Sequence, residues 1–298
     1  MLGPEGAPWV LSRKRNLSRL PLAGWGPGAQ AVHEEERHFS GEMKDSLVPI
    51  KIPPATQILI RRASLEDIFH VVEVSFLDTY RELTIREGDC VADLGAHIGT
   101  FGVWAGRIAG QVVCVEQEPA NFRLLKENLN RSLGRRGICV QATISDSSFD
   151  DDRVSVDDLA RRLGLKFDSM KIDIEGDEVK ALKGSELTLR TLRELIMEAH
   201  SPSLLREATA LLKTAGFRVH LLEGGEIGKF RNCRDARSYK LARLSMYLRP
   251  LLHFSIANVW VLPRLAVTEL RVLFRHFLGP EAHRDQRDVY LIHAVKEG

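Results

Sequence analysis

The stretch Cys90-Val91-Ala92-Asp93-Leu94-Gly95-Ala96-His97-Ile98-Gly99-Thr100-Phe101 decides the fold class. It begins as a short, mostly apolar run, the form taken by a strand buried on both faces. A turn with two glycines follows, and then residues that suit a helix. Strand, tight turn and helix together open a βαβ unit. Small residues in such a turn let the backbone approach a ligand, and a helix N-terminus favours electron-rich groups. A glycine turn alone serves equally well as a plain tight turn.

The alternation continues outward from this unit. Strands are expected at 111–115, 138–142, 169–174 and 195–198. Helices are expected at 100–108, 119–130, 155–163, 179–189 and 202–214. Pro119 and Pro202 suit first helical turns, and Ser155 with Asp158 forms a loose capping box. Strands at 217–222 and 289–295 complete the pattern, and the residues between them read as an insertion between the last two strands of one sheet. Residues 1–50 are dense in glycine and proline and carry the charged run Glu34-Glu35-Glu36-Arg37, which argues for a poorly ordered segment. Residues 51–83 read as an N-terminal cap, with a strand at 57–60 and an amphipathic piece at 71–80.

Bulk composition excludes several classes. A 298-residue chain with 44% hydrophobic and 28% charged residues has enough apolar material for a sizeable core. A net charge of +2 makes the whole molecule a poor non-specific nucleic-acid binder. The four cysteines, Cys90, Cys114, Cys139 and Cys233, form no C-x-x-C pair, so zinc-ribbon and thioredoxin readings lack support. They read as free thiols in a reducing compartment. No apolar run reaches the ~20 residues of a membrane span, and no signal-peptide pattern follows Arg13-Lys14-Arg15. The expected location is cytoplasmic, with membrane-peripheral contact open.

Two further elements add chemistry. Glu116 ends the second strand, roughly 20 residues after the glycine turn, where a carboxylate accepts both hydroxyl hydrogens of an adenosine ribose. The turn lacks the G-x-G-x-x-G of dinucleotide enzymes, which favours S-adenosylmethionine, since no pyrophosphate has to be cradled. Asp93 is then placed to attract the methionine ammonium, directly or through water. The other element is Lys171-Ile172-Asp173-Ile174-Glu175-Gly176-Asp177-Glu178, at the carboxyl end of the fourth strand, where open parallel sheets bind ligands. Some of these acids suit capping of the next helix.

At this point a family resemblance emerges. Glu116-Gln117-Glu118-Pro119, Asn121-Phe122-Arg123-Leu124-Leu125-Lys126-Glu127-Asn128-Leu129, Val156-Asp157-Asp158-Leu159, Lys171-Ile172-Asp173-Ile174-Glu175-Gly176 and Leu182-Lys183-Gly184 together resemble the FkbM methyltransferases. The resemblance covers about residues 84–200, and the K-I-D-x-E-G block is its specific part. His97 stands where the family usually has asparagine, and Gln117 where it often has proline. The implied fold class is α/β: a doubly wound, Rossmann-like methyltransferase sheet, mostly parallel with an antiparallel last strand. The methyltransferase domain is expected over 84–298, with a basic helical insertion at about 224–287.

The resemblance implies S-adenosyl-L-methionine as cofactor and O-methylation of a hydroxyl on a glycan, a lipid-linked sugar or a secondary metabolite. Cofactor contacts are expected from Asp93, Gly95, Ala96, His97, Gly99, Thr100, Phe101, Glu116, Gln117, Asp146 and Asp173. Candidate bases are His200 and Asp173, then Glu175 and Glu198. Clustered acids and a histidine leave room for a metal, but the spacing assigns none. In the insertion, Arg231, Arg234, Arg237, Lys240, Arg243 and Arg249 form a basic track, and 265–278 reads as an amphipathic helix. A lid or homodimer helix is the plain reading; an anionic membrane surface is a second, and nucleic acid a third. The rival functions are a ribose or other RNA methyltransferase and a non-catalytic cofactor-binding protein.

Overall fold

A computed structural model describes residues 10–11, 47–52, 56–62, 64–75, 78–148, 152–222 and 289–297. The chain enters through β1 (Val10–Leu11), β2 (Leu47–Ile52), β3 (Thr56–Arg61) and α1 (Leu65–Ser75). Next come β4 (Cys90–Leu94), α2 (Thr100–Ala105), β5 (Gln111–Glu116), α3 (Pro119–Leu133) and β6 (Gly137–Gln141). The short strands β7 (Thr143–Ile144) and β8 (Arg153–Val154) precede α4 (Val156–Leu163) and β9 (Ser169–Ile172). The rest is α5 (Glu178–Lys183), α6 (Glu186–Thr191), β10 (Glu194–Ala199), α7 (Pro202–Thr214), β11 (Phe217–Leu221) and β12 (Tyr290–Lys296).

Among the described residues the central sheet has the order β1-β6-β5-β4-β9-β10-β12-β11. All its pairings are parallel except those of β12, which runs antiparallel between β10 and β11. This is the doubly wound, Rossmann-like sheet expected from the alternation. From β4 the chain winds outward through β5 and β6; from β9 it winds the other way. The carboxyl ends of β4 and β9 therefore flank the topological switch point, where open sheets bind ligands.

Strand residues alternate between two cores. Val91, Val112 and Cys114 pack on the face shared with α1, α2 and α3, while Ala92, Leu94, Val113 and Val115 pack on the opposite face. Both faces are dry, which is why β4 and β5 are apolar almost throughout.

The N-terminal hairpin of β2 and β3 packs its isoleucines against α3 and is tied there by a buried side chain. Asn128 of α3 accepts from the Leu59 N–H at 2.7 Å and donates to the Leu59 carbonyl at 3.0 Å and the Ile98 carbonyl at 2.9 Å. It ties the hairpin to the glycine turn while 1% exposed.

Several boundaries move from the sequence reading. Pairing begins at Leu47, ahead of residue 51, and β1 joins β6 within the segment expected to be loose. The amphipathic piece expected at 71–80 lies earlier, as a helix at Leu65–Ser75, because Ser64 Oγ accepts from the Asp67 N–H and starts it. The helix expected over 179–189 is two helices. At Gly184 a Cβ would meet the Ser145 carbonyl oxygen at 2.3 Å, and Asp157 accepts from the Leu187 and Thr188 N–H groups to begin α6. The basic insertion at 224–287 lies outside the described residues, as does Cys233; Cys90, Cys114 and Cys139 are buried free thiols. No helix among the described residues is long and apolar enough to cross a membrane.

Candidate active site

The carboxyl ends of β4, β5 and β9, with α1 above them, enclose a cavity of about 320 Å³. Its polar lining includes Glu66, His70, His97, Glu116, Asp173 and Glu175. Of the residues expected to hold a cofactor, Gly95, His97, Glu116, Gln117 and Asp173 line this cavity. The other six do not.

The glycine turn shows why. Gly95 has φ of +78°, and a Cβ there would meet the Asp173 carbonyl oxygen at 1.8 Å. At Gly99, with φ of +89°, a Cβ would meet Leu125 and Leu129, each at 2.7 Å. Close packing against the end of β9 and against α3 therefore demands these glycines, and Gly95 in addition borders the cavity. Ala96 turns inward and donates its N–H to the Val115 carbonyl at 2.9 Å. Phe101 is buried edge-on against Tyr80, and Thr100 is buried at the start of α2. Asp146 is exposed and accepts from the hydroxyls of Ser145 and Ser147; the cavity wall on that side is Ala142, Thr143 and Ile144.

Glu116 ends β5 with both oxygens held by backbone. Oε2 accepts from the His97 N–H at 2.8 Å, and Oε1 accepts from the Glu118 N–H at 2.7 Å. Burial raises its pKa, with those two bonds opposing the shift. His97 sits at φ +50°, a left-handed conformation unfavourable for a residue with a Cβ. Gln117 turns its Oε1 to accept from Thr143 Oγ1 at 3.1 Å.

Asp93, expected to attract the methionine ammonium directly or through water, is fully buried and is not among the residues that line the cavity. It faces Lys171 instead, with Nζ to Oδ1 at 3.3 Å, and Cys114, with Sγ to Oδ2 at 3.7 Å. Lys171 also donates to the Gly95 carbonyl at 2.9 Å and stands 3.6 Å from Asp173 Oδ2. Burial works against the ammonium, but Asp93, Asp173 and Glu198 outweigh it and raise its pKa. Lys171 is thus a fixed positive charge between the two strand-end acids.

Beyond Asp173 lies a second group. Ligand atoms of Asp173, Glu198 and His200 all lie within 4.8 Å of one another. His200 Nδ1 is 2.7 Å from Glu178 Oε1, and Nε2 is 3.7 Å from Asp173 Oδ1. Burial opposes the imidazolium, yet Glu178 and Asp173 raise its pKa to about 9. Glu198 accepts from Tyr80 Oη at 2.8 Å. Burial first, then Asp173, pushes Glu198 up to about 7. Glu175 lines the cavity from a turn at φ +52°. Of the four expected base candidates, Asp173 and Glu175 line the cavity, and Glu198 and His200 gather behind it around Asp173.

Residues 93–219 match the methyltransferase FkbM domain. The chain carries an FkbM methyltransferase domain. No curated protein sequence matches the chain. Among solved structures it is similar to a methyltransferase FkbM from Methylobacillus flagellatus, at 20% identity over 49% of this chain and 46% of that one, with a TM-score of 0.40. A precorrin-6y C5,15-methyltransferase from Geobacter metallireducens is 16% identical over 56% of this chain and 79% of that one, with a TM-score of 0.39. M. jannaschii TYW2, solved in complex with AdoMet, is 14% identical over 59% and 75%, with a TM-score of 0.41.

The match begins at Asp93, within β4, so the cap lies upstream of it, and the cap supplies what the sequence reading missed. Glu66 and His70 line the cavity from α1, and Glu73 and Tyr80 face the acid cluster. Burial, then Glu198 and Asp173, pushes the Glu73 carboxyl well above its usual range. Glu66, His70 and Glu73 are spaced to share a helix face, a signal the sequence carried. Glu178 was read as one acid of a block; its burial beside His200 was invisible without the fold.

Proposed function

We propose that the FkbM domain transfers the methyl group of S-adenosylmethionine to a hydroxyl of a glycan, a lipid-linked sugar or a secondary metabolite. The observation that carries this reading is the position of Asp173. It lines the cavity that Glu116 borders, and it belongs to the cluster with Glu198 and His200. One carboxylate thus joins the cofactor side to a proton-handling side.

The residues present suit the cofactor. A carboxylate offers about four lone-pair sites. Two of Glu116's are taken by the His97 and Glu118 N–H groups, which leaves the others for two ribose hydroxyls. Val115, Ala142 and Ile144 give an apolar wall for a purine. The cavity volume of about 320 Å³ lies at the lower end of the usual range for small-molecule sites.

When bound, the cofactor supplies a methyl group already activated on a sulfonium, so the protein's task is alignment. A hydroxyl nucleophile must also lose its proton as the new bond forms. Asp173 is the acceptor we assign, because it alone of the clustered acids lines the cavity. Lys171 at 3.6 Å and His200 at 3.7 Å hold its two oxygens. With its pKa near 9, His200 is charged at neutral pH, so it orients Asp173 and does not itself accept a proton in this state. Glu175 borders the same space and is assigned to the acceptor.

The test is methyl transfer from labelled cofactor into an extract of the source organism, separated into lipid, glycan, RNA and small-molecule pools. Label in the lipid, glycan or small-molecule pool, abolished by Asp173→Asn, is the expected result. Label confined to RNA overturns the acceptor class. No transfer by a protein that binds the cofactor overturns catalysis. The basic stretch 231–279 is assigned, on its sequence alone, to acceptor or anionic-membrane contact; failure of the full chain to sediment with anionic liposomes rejects the membrane part.

A further inference from the structure

Glu66 and His70 stand one turn apart on α1 and present side chains to the same side. Across from them is His97 of the glycine turn. Ligand atoms of all three lie within 4.8 Å of one another, and all three residues line the cavity. The rings of His70 and His97 are stacked, with centroids 4.0 Å apart.

His97 is the anomaly. It is 7% exposed, yet neither ring nitrogen has a hydrogen-bond partner. A buried donor or acceptor left in that state costs about 1–3 kcal/mol and calls for an explanation. Nε2 lies 3.5 Å from Glu66 Oε1 and 3.7 Å from Asp67 Oδ1. These separations are long for hydrogen bonds. The His97–Glu66 separation is close to the donor spacing around a tetrahedral ion, about 3.4 Å for bonds of about 2.05 Å.

We infer that Glu66, His70 and His97 form a site for a divalent transition-metal ion of the zinc type, linking the N-terminal cap to the glycine turn. Two imidazoles and one carboxylate are a donor set for such an ion, and three protein ligands leave a position open to the cavity. The charge balance supports a cation. Asp67 is neutralised by Arg61, whose Nη2 stands 2.5 Å from Oδ1, so Glu66 leaves the group net negative and unsuited to an anion. Asp67 is itself fully buried and bonded to the Arg61 N–H at 2.7 Å, a fixed carboxylate on the same Nε2 side of His97 as Glu66.

The experiment uses the full chain, stripped with chelator, without cofactor or acceptor, so its outcome is independent of whether S-adenosylmethionine binds. Cobalt(II) is titrated and followed by its ligand-field absorption, then displaced with zinc(II), whose affinity is taken from calorimetry. One cobalt should bind with a tetrahedral-type spectrum. Glu66→Gln and His70→Ala should each weaken zinc by at least about tenfold. Glu66 has a side chain 65% exposed, so that variant tests the site without a folding question. His200→Gln should leave the affinity unchanged. Absence of the cobalt spectrum overturns the inference, as does unchanged affinity in Glu66→Gln and His70→Ala, or loss of binding in His200→Gln alone.

Discussion

Two groups of histidine and carboxylate flank one cavity and hold their imidazoles in opposite charge states. On the cap side, burial lowers His70 to about 4 and His97 to about 2, so both rings are neutral. On the β9–β10 side, His200 is raised to about 9. Burial acts in the same direction on all three rings. What differs is the partner. Glu178 is completely buried and touches His200 at 2.7 Å, whereas His97 has its nearest carboxylate oxygen at 3.5 Å, on a side chain mostly in solvent. A buried, directly bonded carboxylate overcomes desolvation; a distant, solvated one does not. One side of the cavity therefore offers neutral nitrogen lone pairs, and the other offers fixed charge around a carboxylate. The first suits holding a ligand, and the second suits moving a proton.

The largest test of that division is Asp173→Asn. If the β9–β10 side handles the proton, turnover should fall by about 10²–10⁴, the range of general-base contributions. Cofactor affinity, measured by calorimetry, should move far less, and equal losses in both would dissolve the distinction between the two sides. A smaller effect is expected from Glu116→Ala. It removes a charged acceptor of ribose hydroxyls, so affinity should weaken by about 10–100-fold, from roughly 1.5–3 kcal/mol per charge-assisted bond. Unchanged affinity removes Glu116 from the site.

The same comparison shows what the sequence made legible. The sheet was readable because β4, β5, β6, β9 and β10 are short apolar runs separated by helices, and both faces are buried. Glu116 and Asp173 were readable because strand ends at a switch point carry ligands. Gly95 and Gly99 were identified, but their reason was not: Asp173, Leu125 and Leu129 come from elements distant in sequence. The pairing of Asp93 with Lys171 was hidden on the same ground, since only the parallel register of β4 with β9 sets Lys171 beside it. The cap was read least well. Its helix carries Glu66, His70, Glu73 and, just beyond, Tyr80, yet nothing local says that this helix lies over the cavity. That placement rests on contacts between residues far apart in the chain: Ile68, Val71 and Val72 pack in the core with Phe101 and Val103, and Asn128 clasps β3 from α3.

The finest test concerns the origin of the charge on His200. Its folded pKa of about 9 stands above the ordinary 6.5, so the contact with Glu178 stabilises the fold fully below pH 6.5. That stabilisation is lost as pH rises through about 9, and it amounts to at most about 3 kcal/mol. Glu198, raised from 4.5 to about 7, adds a separate decline that is nearly complete before His200 begins to lose its proton. The two windows are separable by mutation. Glu178→Gln keeps an oxygen for the Gly176 N–H, which Glu178 now accepts at 2.9 Å, but removes the charge beside the ring. In that variant the His200 ring resonance, followed by nuclear magnetic resonance, should titrate at least about one unit lower. The fall in denaturant stability between pH 6.5 and 9 should shrink with it, while the Glu198 window should persist. A wild-type His200 that titrates near 6.5 would leave Lys171 as the fixed cation beside Asp173, and a midpoint unmoved by Glu178→Gln would remove Glu178 as the source of the charge on His200.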